Sequence, residues 1–267
     1  MRLGRVAGFV LLAGALAPPA GAWTGPTRQH MVDDAIRMCP PSLATLLQRY
    51  RSDLIHGMMD PLAGESGEEH RQHLPGTYGG AASSIARHAD QAVTIIGQPG
   101  RLRLAIYALG TAAHFTADVN FPLNCAAGGV GDPLFYNDYA VYAESKMARF
   151  PVVLDEKPRE SLAKDRLEEF GLDAARRSSS LVTHVRSAYT PGGKRISAAA
   201  FDEKSLPFGV ASLSYSQAVN DIARLWTHLW LRAGGDVSGQ PFPFESGSTN
   251  GKTRKKSSKG AKDAAAR

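Results

Sequence analysis

Cysteine is nearly absent: Cys39 and Cys125 are the two in 267 residues, and no Cys-x-x-Cys pair occurs. A disulfide-stapled scaffold and a cysteine-rich zinc module are thereby excluded, leaving either one bridge or two buried thiols. No glycine-rich phosphate loop and no Gly-x-Ser-x-Gly turn occur, so nucleotide-binding folds and serine hydrolases find no support. Polar and apolar residues nowhere alternate with period two for long enough to argue a sheet, and no internal repeat is visible. A basic excess is missing as well, although the formal net charge is +6. Residues 250–267 hold seven basic residues against Asp263, a net +6 by themselves. Arg2 and Arg5 belong to the N-terminal leader, which leaves residues 23–249 at about −2. The body therefore has no positive field with which to grip a polyanion.

What is present begins with that leader. Met1–Arg5 carries two arginines and no acid, and Val6–Ala17 is almost entirely apolar. Pro18, Pro19 and Gly21 then break any helix, and Ala20-Gly21-Ala22 offers the small residues a signal peptidase reads. The apolar run falls short of the roughly 20 residues needed to span a bilayer. Residues 1–22 read as a cleaved signal peptide, the mature chain starts at Trp23, and the protein is expected to be exported, either periplasmic or secreted. No other stretch is long and apolar enough for a transmembrane span. At the far end, residues 241–267 are rich in Gly, Ser and Lys and read as a disordered basic tail. Such a tail suits weak contact with anionic lipid or nucleic acid, or serves only as a solubilising extension.

Between these ends, residues 23–240 read as one all-α domain, a multi-helix bundle. Thr27–Met38 places Met31, Val32, Ala35 and Ile36 on one helical face. Pro40 and Pro41 stop that helix, and Ser42 is positioned to cap a second one through Leu43, Leu46, Leu47 and Tyr50. Residues 60–80, dense in Gly, Pro and charge, form a long loop. Helices follow over 80–96, 101–119, 135–150, 158–170, 172–189 and 212–233. The 101–119 segment is nearly devoid of polar residues until its C-terminal end, as expected of a helix at the centre of a bundle.

The chemistry sits at that end. His114 and Asp118 are four apart, so both project from one helical face with Cβ atoms about 6 Å apart. Polar groups on a buried helix are costly unless paired or metal-bound. The pair alone admits either reading, a satisfied hydrogen bond or a ligand pair. Asp60, His70, His73 and His30 supply further imidazoles and a carboxylate, a donor set suited to zinc. His56, His88, His184 and His228 read as surface or satisfied helix histidines, and Leu213, Val219, Ile222, Trp226 and Trp230 as a core stripe.

At these residues the sequence resembles the zinc-dependent phospholipase C family and the secreted single-strand nucleases that share its all-helical fold. The run His114-Phe115-Thr116-Ala117-Asp118-Val119-Asn120-Phe121-Pro122 matches that family's His-x-x-x-Asp-Val-Asn-x-Pro motif. Trp23 behind the cleavage site matches a terminal tryptophan that binds metal through its amino group and carbonyl. Asp60, after Gly57-Met58-Met59, matches a metal aspartate, and His70 is preferred over His73 as the loop histidine. The resemblance covers most of residues 23–233. It implies a phosphodiester hydrolase, with phospholipid among the candidate substrates, whose water is activated by two zinc ions. One ion would be held by Asp60, His70, His114 and Asp118, the other by Trp23, His30 and a bridging Asp118, with Asp60 also orienting the water as the catalytic residue. Two departures stand out. Alignment of the first helix puts Arg28 at the ligand position that His30 is expected to fill, because an arginine cannot ligate zinc. A third metal site would need histidines at Asn124 and near Tyr136 and a glutamate near Ala140, and all three are missing. A single-metal centre, a nuclease of the same fold, and a non-catalytic relative with one structural metal follow as alternatives.

Overall fold

The computed structural model describes residues 22–64, 67–75, 78–127 and 133–242. The leader and the basic tail lie outside these, apart from Ala22, Pro241 and Phe242. The described chain is helical: α1 Gly25–Arg37, α2 Pro41–Arg49, α3 Arg51–Met59, the single turn α4 Pro61–Gly64, α5 Ala81–Ile96, α6 Leu102–Val119, α7 Pro133–Lys146, the turn α8 Glu160–Ala163, α9 Leu167–Ser179, α10 Val182–Tyr189 and α11 Leu206–Arg232. Among the described residues there is no strand, only an isolated bridge between His73 and Tyr78. No helix there is long and apolar enough to cross a membrane.

Helix α6 is the axis of the bundle. From Ala108 to Val119 every residue is buried, and α3, α5, α9 and α11 pack around it. Its small residues allow close approach. A Cβ on Gly110 would lie 2.2 Å from the Leu54 carbonyl oxygen, and one on Gly57 would lie 2.0 Å from that of Tyr107. Only glycine at both positions lets α3 seat this tightly on α6. The indole of Trp226 on α11 donates to the Leu109 carbonyl at 3.0 Å, and that of Trp23 donates to Ala117 at 3.0 Å. Each buries a large ring while satisfying its N–H.

Several boundaries differ from the sequence expectation. The helix expected over 172–189 is two, α9 and α10, because the chain turns at Ser180 and Leu181. The buried positions Gly171, Ala174, Ser178, Val182, Val185 and Tyr189 stay in helical register across that turn, so periodicity alone merges the two. The helix expected over 158–170 is interrupted by Asp165, whose φ of 54° stops α8. Ser42 does not cap α2. Its hydroxyl donates to the Asp236 carbonyl at 2.5 Å, tying α2 to the segment after α11. Cys39 and Cys125 are buried free thiols that donate to Ala35 and Val119, so the bridge does not form.

Candidate metal centre

His114 and Asp118 stand one turn apart on α6, both with side chains wholly buried. The close seating of α3 brings the Met58 carbonyl oxygen to 2.7 Å from His114 Nδ1. A carbonyl can only accept, so Nδ1 carries the proton and Nε2 keeps its lone pair, aimed into the bundle. Burial first, and the Arg28 guanidinium second, push the His114 imidazole down to about 4, so the ring is neutral at physiological pH. For Asp118 burial is the largest influence and pushes upward. Arg28 and the two histidines outweigh it, and the carboxyl is held well below its usual range.

The loop between α4 and α5 brings His70 to the same spot. Its Nδ1 lies 2.8 Å from Asp118 Oδ2 and 3.0 Å from His114 Nε2, and Nε2 lies 3.1 Å from the same Oδ2. Asn124 fixes the loop by donating to the His70 carbonyl at 2.9 Å, while its own carbonyl accepts from Gln72 N at 3.0 Å. Phe115 lies under the His70 ring at 5.5 Å. Three ligand atoms thus converge on one point. A tetrahedral zinc with bonds of about 2.0–2.2 Å sets its ligands roughly 3.3–3.5 Å apart, so a few tenths of an ångström of opening admits the ion. The donor set fits, and the His70 side chain, 12% exposed, is where the group comes nearest to solvent.

Arg28, which sequence reasoning passed over as a ligand, enters this group. Its side chain is wholly buried. Nε donates to the Trp23 carbonyl at 3.0 Å, Nη1 to the His114 carbonyl at 3.2 Å, and Nη2 to Asp118 Oδ1 at 2.5 Å. The structure does not bring His30 in. Residues two apart on a helix point about 200° from each other, so with Arg28 inward His30 faces out. It is 41% exposed, with Nδ1 3.0 Å from the Tyr215 hydroxyl, whose proton goes to Asp34. Asp60 is likewise not with the three: it is exposed, and the Tyr107 hydroxyl donates to its Oδ2 at 3.0 Å. Trp23 offers its carbonyl to Arg28 rather than to the point where the three ligands meet. His73 bonds the Ala126 carbonyl through Nδ1 and stacks on Tyr78, away from the group.

Two further supports join residues whose partners the sequence did not name. Asn120 donates to Asp221 at 3.1 Å, and Asp221, fully buried, also receives Arg159 and Arg177. This network locks the end of α6 against α9 and α11. At the positions where a third metal site would lie, the Tyr136 hydroxyl donates to Asn124 Oδ1 at 2.6 Å. The two groups satisfy each other, and Ala140 offers no ligand.

Solved structures share this arrangement of helices, two clostridial toxins among them. The alpha-toxin of Clostridium perfringens from an avian strain superposes with a TM-score of 0.60 at 14% identity, over 81% of this chain and 66% of that one. The alpha toxin of Clostridium absonum gives 0.61 at 16% identity, over 83% and 65%. The fold is the all-helical phospholipase C type. The chain spans just under two thirds of the length of either toxin, and at these identities the likeness is one of fold. No family model and no curated protein matches the sequence. In this frame the helix that carries His114 and Asp118 is the central one.

Proposed function

We propose that this protein is an exported, metal-dependent phosphodiester hydrolase of the phospholipase C kind, with one zinc at His70, His114 and Asp118. The observation that carries the reading is the convergence of three ligand atoms within about 3 Å of one another, with the lone pair of His114 aimed among them by the Met58 carbonyl. Zinc in such a site supplies a Lewis acid and a bound water of lowered pKa. The chain's own part is to hold that site. His114 stays neutral, Arg28 keeps Asp118 ionised, and Asn124 holds the turn that presents His70. Arg71, next to His70 in sequence, is 28% exposed and paired with Glu68, and offers a guanidinium to a phosphate oxygen. Export is proposed from the leader, residues 1–22, with the mature body ending near residue 240 and the basic tail beyond it. A phospholipid is favoured over a nucleic acid because the body carries no basic excess.

Turnover of a chromogenic choline phosphodiester tests this: activity should appear with zinc and vanish with chelator. Cleavage of single-stranded DNA without any lipid analogue would move the assignment to a nuclease. A second reading, a non-catalytic relative with one structural metal, is favoured by the Tyr136–Asn124 bond that closes one further metal position. Inertness on both substrates with zinc fully loaded would select it.

A further inference from the structure

Arg28 carries its charge in the core of the bundle. It is an arginine with no solvent exposure, on α1, in the same buried stripe as Met31, Val32 and Ala35. Placing a guanidinium inside a helical core is costly unless charge and donors are both met. Here they are met by Asp118 Oδ1 and the carbonyls of Trp23 and His114. Trp23 and Asp118 are also the groups through which a second ion was expected to be held.

We infer that the Arg28 guanidinium stands in the place of a second metal ion, as a resident cation that makes the centre mononuclear. The inference rests on the metal reading of His70, His114 and Asp118. Its physical basis is the division of one carboxylate. In the common two-oxygen bridge Asp118 gives one oxygen to each ion. Oδ1 is committed to Arg28, and Oδ2 is the oxygen that faces both histidines, so one oxygen remains for one ion. Charge acts in the same direction. Asp118 and Arg28 cancel, and a single divalent ion then stands against no uncompensated neighbour of like sign except the guanidinium that Asp118 already screens. A second divalent ion would crowd against that guanidinium with no further carboxylate in the group to offset it. The Trp23 carbonyl already accepts from Nε, so an ion there would stand against the guanidinium. Arg28 is thus a positioning residue: it holds Asp118 Oδ1 from the buried side of the group.

Metal content of the chain that starts at Trp23 tests this, measured by emission spectrometry after zinc loading and, after cobalt(II) substitution, by electron paramagnetic resonance. Wild type should hold one ion per chain with an isolated cobalt signal, and Arg28→Lys, which keeps the charge, should also hold one. Arg28→His frees Asp118 Oδ1 and the Trp23 carbonyl and adds an imidazole. Its content should rise to two, with a spin-coupled cobalt pair. Two ions in wild type would overturn the inference and leave the metal reading standing. None in wild type would remove the metal reading, and the inference with it. A folded Arg28→His protein that stays at one ion would show that Arg28 is not what excludes the second. Should Arg28→His fail to fold, the wild-type cobalt signal decides alone, a coupled pair counting against the inference and an isolated ion for it.

Discussion

With Arg28 and Asp118 both shut away from water, removing one partner strands the other charge in the core. Asp118→Asn should therefore lower the unfolding free energy by about 3–5 kcal/mol, the range for breaking a buried pair, and abolish zinc binding. Adding Arg28→Met to that variant should restore part of the stability, read by urea denaturation, and none of the metal. Full additivity of the two losses would mean the residues are not coupled. His114 adds a pH dependence in the metal-free protein. Its native value of about 4 lies below the usual 6.5, so between those two pH values the unfolded chain binds a proton that the native chain refuses. Its contribution is fully present above 6.5 and is lost as pH falls toward 4. The shift sets a maximum loss on the order of 3 kcal/mol. Chelated protein should melt markedly lower at pH 4.5 than at pH 7, and a flat profile across that window would mean the ring is not held neutral. The terminus gives one more residue-scale test. Because Arg28 takes the Trp23 carbonyl, a chain starting at Trp23 and one extended by a single residue should bind the same amount of zinc. One ion fewer in the extended chain would instead put the terminal amine in the site.

The seam between α3 and α6 joins stability to the site, because the helix that must seat closely is the one whose Met58 carbonyl aims His114. Gly110→Ala sets a Cβ 2.2 Å from the Leu54 carbonyl oxygen, backbone that has no rotamer with which to yield. Pushing α3 away should cost about 1–3 kcal/mol and weaken zinc affinity together with stability. Gly209→Ala is the matching control, since nothing lies within 4 Å of its added carbon. There the gain in helix propensity should hold or raise the melting temperature. Unchanged zinc affinity in Gly110→Ala would separate the seam from the metal centre. At this scale helices were largely legible in the sequence: α1, α5 and α6 fall where their apolar spacing puts them. The break between α9 and α10 was not, because the buried stripe runs through it in phase.

Across the whole molecule, the aromatic residues at the ends hold the described body together. Trp23 reaches the carbonyl of Ala117 on α6, and Phe242, buried near the end of the described chain, lies under the Arg224 guanidinium at 4.3 Å. Residues 246–267 contain no Leu, Ile, Val, Met or aromatic residue. Deleting them should leave melting temperature and metal content unchanged, because they offer no large apolar side chain to bury. A melting temperature lower by several degrees would extend the folded body into the tail.

The amino-acid sequence by itself determined that this chain is all-helical and that its central helix ends in His114 and Asp118, whereas His70 was preferred over His73 only through the family resemblance. Those features are local: helical period, i,i+4 spacing and donor chemistry can all be read along one segment. What only the tertiary structure decided is which neighbours those residues meet. Arg28 is on the buried stripe of α1 with Met31, Val32 and Ala35, so its inward direction was readable, but its destination 90 residues away on Asp118 was not. Asp60 matches a motif in sequence and still faces solvent, and the Tyr136 hydroxyl ends on Asn124 rather than near a metal. The physical reason is that a buried charge is stabilised only by partners brought to it from other helices, and those partners exist only once the bundle has closed.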